Sequence, residues 1–430
     1  MKNYELSAMV ITILNYLFAL RNFQDPRKDT LKFICCCTYQ ISLVTSYTIL
    51  AYIFNRLNII MEPYNVERIM YTILYYVIII GYISLVTLGL YHSKNVLKLR
   101  KKIDKVDEQL ESMGDETGYR SIFLRERIIS FFWFLLSALL FGLYFKWLTL
   151  HHERIGEFYS VTSFMFAINA GSITLNDFKI HIHWLEHRFK LTNEHLHAFL
   201  FDGGKTKAKK SNEEIIFRPS YNFPSKFQSD IWLSDPVCAI REPPLIHTAS
   251  SEQGSRKNSS QVAEKVRSFH RIRFMHLQLC QVSKMLNEIF DTQLLLYSFI
   301  IMVYTTISIY YIYAIVRRAE MAEIRMRKIS IIVYIFNGLL AFMKIVAVSH
   351  SCEYTMKEAN EAIEIIHSSS LYETDAELKD QIVQFSLQIS LTQLGASKST
   401  EYKLNYNFIR KCLNYMLSYL VIMIQWCQTT

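Results

Sequence analysis

Two histidines four positions apart, His183 and His187, sit in a run that also holds His181, His195 and His197. On a helix that spacing puts both imidazoles on one face, the arrangement that can grip a zinc ion when two further ligands stand nearby. The fitting further ligands are not evident and the HExxH pattern is absent, so the run reads as polar-face histidines and no metal is expected. The chain has no Gly-rich phosphate loop, serine elbow or paired-carboxylate pattern. Neither an enzymatic activity nor a cofactor is expected.

Polar groups set into apolar sequence carry more information, because an unpaired amide in hydrocarbon costs on the order of several kcal/mol. The chain closes on "SYLVIMIQWCQTT", with Gln425 and Trp426 beside the end. A helix there places Met416, Leu420, Met423 and Cys427 along one stripe, Ile424 beside it and Gln425 about 100° further round. Several copies around an axis would turn that stripe into a constriction that gates by dewetting, with glutamines ringing its mouth. A single glutamine at a helix end among headgroups is the other reading, and the residues alone leave both open. Lys146 and Lys344 lie near the ends of apolar stretches and are expected to extend their ammonium groups to the interface. Asp177, at the edge of another stretch, is expected to meet water. The stretches lack the central carboxylate or histidine chain of a proton-coupled pump.

The elements that must hold these groups are apolar helices. The chain is 51% hydrophobic and 14% aromatic with only 12 Gly and 7 Pro, a composition of extensive helix. Stretches free of Asp, Glu, Lys and Arg run over 33–55, 69–93, 128–145, 158–176, 292–316, 329–343 and 412–430. Most reach or approach the roughly 20 residues that cross a bilayer, and the sixth continues past Lys344 to Cys352. The expectation is an all-α membrane protein with seven transmembrane helices. An additional apolar segment, Leu6–Leu20, lacks a small-residue cleavage site and reads as an interfacial or partly inserted helix.

Lys94, Lys98, Arg100, Lys101, Lys102, Arg125 and Arg127 flank spans two and three on one side. That asymmetry places the N-terminus in the cytoplasm and the C-terminus outside. "RRAEMAEIRMRK", between spans five and six, runs against it as a local exception. The net charge of +9 is then mostly a record of topology, and without a nucleic-acid motif no nucleic-acid partner is expected. The eight cysteines form no paired framework. Cys35, Cys36 and Cys37 open span one, where acylation is one reading and small apolar filler the favoured one. Cys238, Cys280 and Cys352 fall on the reducing cytoplasmic side, where disulfides do not persist.

The expected organisation begins with a cytoplasmic N-terminus and interfacial helix over 1–32, then helices one to four with a cytoplasmic extension of the fourth over 33–200. A disordered cytoplasmic insert follows over 201–262, where five of the seven prolines lie. Helix five with its extension and helix six occupy 263–349, cytoplasmic anchor helices 350–411, and a terminal helix 412–430. In the outward halves of the spans sit aromatic and hydroxyl side chains that can be belt residues or can line a pocket for a small organic molecule. The candidates are Tyr75, Tyr76, Trp147, Ser163, Tyr304, Tyr334 and Asn337.

The terminal "SYLVIMIQW" resembles the C-terminal signature of insect gustatory receptors, a Thr-Tyr pair, five apolar residues and Gln-Phe. Tyr419 and Gln425 stand at the matching separation, with Ser418 in place of Thr and Trp426 in place of Phe. "HLQLCQVSKMLNEIFDTQLLL" and "EHRFKLTNEHL" are similar to the juxtamembrane helices of that family. The resemblance implies kinship with odorant receptors and a homotetrameric, tastant-gated, nonselective cation channel in the plasma membrane of chemosensory neurons. The seventh helix would line the pore and the intracellular helix ends would form an anchor domain. Leu420, Met423, Ile424, Gln425 and Trp426 would stand at the gate. Partners would be a small tastant, cations, membrane lipid, copies of the chain and co-receptors. The rival readings are a G-protein-coupled seven-helix receptor, whose Asp/Glu-Arg-Tyr and Asn-Pro-x-x-Tyr motifs are missing, and a small-solute transporter.

Overall fold

A computed structural model describes residues 9–21, 30–61, 65–113, 155–201, 255–318, 321–369, 376–392 and 404–429, together with scattered residues of 124–146. The protein is an all-helical membrane protein. Its described helices are α1 (Met9–Leu17), α2 (Thr30–Met61), α3 (Asn65–Ser112), α4 (Ile155–Phe201), α5 (Ser255–Arg318), α6 (Met321–Ser369), α7 (Ala376–Leu391) and α8 (Tyr406–Thr429). The described residues of 124–146 are helical as well.

Among the described residues four stretches are long and apolar enough to cross a membrane, Thr30–Ile53, Thr72–Ser112, Lys265–Ala314 and Ile335–Ser368. They overlap the expected spans one, two, five and six, whereas the fourth and seventh fall in α4 and α8. At 1.5 Å per residue, α5 with its 64 residues is about 96 Å long, some three times the hydrocarbon thickness. The helices α3, α4 and α6 overrun the bilayer in the same way. Two boundaries differ from expectation: α5 begins at Ser255, inside the interval read as disordered, and α6 runs unbroken from span six to Ser369. Each carries an apolar face into its polar half, so packing there outweighs the local composition. The rest of the insert read as disordered, 202–254, lies outside the described residues.

The helix α4 is central, packed against α1, α2, α3, α5 and α6, while α8 leans on α5 and α6. One core cluster runs along this bundle. Close approach is fixed by Gly171, where a Cβ would collide with the ring of Tyr297 on α5. Beyond the bundle the overrunning helices build a second core from Leu196, Phe269, Ile272, Ala362, Ile366 and Phe385, with α7 laid across it. Arg273 on α5 fastens α7 there: its Nε donates to Gln388 Oε1, and its Nη1 to Gln381 and Gln384, each at 3.0 Å.

The N-terminal segment, expected as an interfacial or partly inserted helix, packs into the bundle. Ile11, Asn15, Ala19, Leu20 and Arg21 are all buried. The helix α1 ends in a Schellman turn, in which Leu20 N–H donates to Asn15 O at 2.8 Å and Ala19 N–H to Tyr16 O at 3.1 Å. Ala19 occupies the left-handed position usually given to glycine, with φ 57°. Three successive carbonyls of this turn are received by side chains: Leu17 by Tyr39, Phe18 by Tyr82 and Ala19 by Gln40. A Cβ on Gly89 would collide with the Leu20 carbonyl oxygen, so α3 needs glycine where the strap crosses it.

Candidate ligand pocket and pore face

Three of the expected pocket residues are held inside the bundle. Tyr75 on α3 and Tyr304 on α5 belong to the same buried cluster, and Asn337 on α6 is buried beside Gly338, which lies against Thr305 of α5. Tyr75 stands next to Phe164 of α4, ring centroids 6.4 Å apart, and its buried hydroxyl finds no hydrogen-bond partner among the described residues. A buried phenol without a partner is costly, and it is the kind of group a ligand can satisfy. Ser163 is half-buried, and its backbone carbonyl accepts from Tyr47 OH at 3.1 Å. Tyr47 extends the wall through an aromatic group with Tyr82 and Phe166. Tyr76 differs: it is 50% exposed on the bundle surface, because its place next to Tyr75 turns it about 100° away. Trp147 and the side chains of Tyr334 and Trp426 lie outside the described residues.

The terminal helix α8 presents two unlike faces. Met423 is buried against Met70 of α3 and Tyr310 of α5, with Leu420 packed beside them, and Met416 is buried on the same side. The stripe expected to form a constriction is therefore turned into the chain's own bundle. This corrects the helix register, which sequence alone could not choose because both faces are apolar. Opposite lies a ridge at four-residue steps, Leu413, Leu417, Val421 and Gln425, all exposed, with Leu417 at 61% and Val421 at 52%. Ile424 is intermediate between the two, and Ser418 and Tyr419 are exposed.

Two polar networks were not anticipated. Lys344 does not reach the interface: it is 9% exposed, its Nζ donates to Ser172 Oγ at 3.0 Å, and it lies 5.3 Å from the Trp133 ring. Ser172 Oγ in turn shares a hydrogen bond of 2.8 Å with Tyr297 OH, so one cation ties α4, α5 and α6 together. Asp177 does not meet water either. It is 2% exposed and pairs with Arg21 Nε at 3.1 Å, while Asn15 Nδ2 donates to it at 3.4 Å. Arg21 also donates to Gln293 Oε1 and lies over the Phe290 ring at 4.1 Å. The signals were present as one acid at the edge of span four and one arginine after the first apolar run, but 156 positions separate them.

Of the histidine pair, His183 is held by polar side chains. His183 Nδ1 meets Glu186 Oε2 at 2.9 Å and its Nε2 meets Ser351 Oγ at 3.4 Å. Among the described residues no three His, Cys, Asp or Glu side chains gather to hold a metal. In the second core, His276 is buried with its Nε2–H toward Ala359 O at 3.2 Å and its Nδ1 toward Cys280 Sγ at 3.7 Å, a pairing suited to the neutral ring. Burial lowers its pKa to about 4, against the opposing pull of the Ala359 carbonyl. The unfolded chain therefore takes up a proton that the folded chain refuses as pH falls from about 6.5 to about 4, and stability is lost through that window. His276→Phe is expected to flatten the loss, as read from thermal midpoints in detergent between pH 7 and pH 5.

Comparison with known proteins agrees with this architecture. Residues 240–430 match the family described as 7tm chemosensory receptor, an interval that takes in α5 to α8. Among solved structures, the fold is similar to that of the insect olfactory receptor OR5 from Machilis hrabei, with a TM-score of 0.60 and 10% sequence identity. That likeness covers 99% of this chain and 100% of the other. Among curated proteins no sequence matches.

Proposed function

We propose that this chain, a seven-helix receptor of the insect chemosensory superfamily, is a gustatory receptor that opens a nonselective cation channel when a small tastant binds. Four copies would surround one pore with their α8 helices, and the N-terminus would lie in the cytoplasm. The observation that carries the reading is the exposed ridge of Leu413, Leu417, Val421 and Gln425. This face is left uncovered by the chain's own bundle, and in an assembly of copies it would turn toward a shared axis, with Gln425 at one end of it.

The ligand site would lie in the part of the bundle that holds Tyr75, Ser163, Tyr304 and Asn337, with the Tyr75 hydroxyl as its hydrogen-bonding point. Binding can move the equilibrium only by its preference for the open state. The route to the pore is short, because Tyr304 and Tyr310 sit less than two turns apart on α5 and Tyr310 clusters with Met423 of α8.

Purified protein in lipid bilayers, with no G protein added, tests this reading. Ligand-dependent cation currents from a tetramer are expected. Val421→Gln should pass current without ligand by wetting the narrowest level, and Gln425→Ala should change unitary conductance. Met423→Gln should mainly lower the thermal midpoint, since that side chain is buried in its own subunit. A strictly monomeric, electrically silent protein would overturn the channel. A glycan on Asn258 in a eukaryotic host would overturn the orientation and favour the G-protein-coupled alternative.

A further inference from the structure

We propose that Cys35, Cys36 and Cys37 are a site of S-acylation by long-chain fatty acyl groups. The three thiols occupy the first turns of α2, and none is in a disulfide. The helix α2 is the least covered of the membrane stretches: Leu31, Ile34 and Ile41 are 78%, 54% and 65% exposed, while Gln40, Tyr47 and Ala51 are its buried residues. Three consecutive helical positions sweep about 200° of circumference. The triplet therefore reaches the lipid-facing side, with Cys35 exposed and Cys36 and Cys37 half-buried. By contrast Cys280 is buried in the extension.

Depth is fixed by the neighbours. Gln40 and Tyr39 bond the N-terminal turn at Ala19 and Leu17, the level at which Arg21 meets Asp177. Lys32 lies about one turn before the triplet, so the thiols sit between the headgroup-level charge and the apolar body of the helix. That is the juxtamembrane placement in which acylation becomes a membrane anchor. The inference goes beyond channel activity and rests on the cytoplasmic N-terminus proposed above. Chemically, a cysteine sulfur attacks the thioester carbonyl of a long-chain acyl-coenzyme A. The new S-acyl bond forms as the carbonyl carbon to coenzyme sulfur bond breaks, the coenzyme leaves as its thiol, and the cysteine proton passes to that leaving sulfur. The acyl chain would lie along the uncovered face of α2 and hold an edge helix that few protein contacts secure.

The full chain from insect cells tests this by acyl exchange: free thiols are blocked with a maleimide, thioesters are cleaved with neutral hydroxylamine, and the released thiols are tagged with a polymer that adds mass. One to three hydroxylamine-dependent mass steps are expected, lost in the combined Cys35→Ser, Cys36→Ser, Cys37→Ser variant and kept in Cys280→Ser. Steps that survive in the combined variant, or a wild-type tryptic peptide that carries only unmodified thiols, overturn the inference. A membrane-impermeant maleimide separates the two ways of failing. Labelling of the triplet on intact cells would overturn the orientation as well, whereas labelling only after permeabilisation, with no thioester found, would sink acylation alone.

Discussion

Replacing Asp107 with alanine is expected to cost about 3–5 kcal/mol and to leave little folded protein, because it takes the carboxylate away from a buried guanidinium. Asp107 Oδ1 receives Arg188 Nε at 2.7 Å, with the two side chains 8% and 0% exposed. The arginine lies over the Trp184 ring at 5.6 Å, which cannot replace a carboxylate. Burial is severe enough to raise the Asp107 pKa to about 6 even though Arg188 pulls it down. The folded chain therefore binds the Asp107 proton more tightly than the unfolded chain, so ionising this carboxyl costs stability as pH rises from about 4 to about 6. The pair is thus a locking device between α3 and α4 more than a source of net stability. Asp107→Leu with Arg188→Met is expected to recover most of the loss. Thermal midpoints of the single and double variants in detergent decide the matter, and a double variant as weak as the single would refute it.

The second large effect is expected at Asp177. In Asp177→Ala, Arg21 keeps Gln293 and the Phe290 ring but loses its buried carboxylate. Releasing the strap then becomes the cheaper outcome, because three carbonyl hydrogen bonds at about 1 kcal/mol each do not offset a buried guanidinium that has lost its carboxylate. Amide exchange over residues 9–21 should quicken roughly a hundredfold, which corresponds to about 3 kcal/mol, while α4 and α5 keep their protection. Arg21→Met combined with Asp177→Leu should restore slow exchange. If residues 9–21 stay protected in the single variant, the ion pair is not what docks the strap.

The helices and their polar continuations were legible because an apolar run of about 20 residues has few other fates and because helical periodicity persists into the polar halves. "FKIHIHWLEHRFKLTNEHLHAFL" reads as helix and is helix. What could not be read was direction. The stripes through Met423 and Val421 are equally apolar, so only the packing of Met70 and Tyr310 decides which one faces home. Lys344 shows the same limit. Its distance from the end of a span suggests an escape to the interface, yet the ammonium is claimed by Ser172 on a helix 172 positions earlier. Tyr75 and Tyr76 look interchangeable on the page, and one is buried while the other is not.

The unbroken course of α5 has a mechanical implication. A single rod of about 96 Å that carries Tyr304 near one end and Phe269 near the other works as a lever about its close contact at Gly171. A rotation of only about 3° would displace its far tip by about 3 Å, given the arm length that this rise per residue sets. Whatever grips the remote tip, a protein or a covalent mark, would thus gain leverage on the packing around Tyr304.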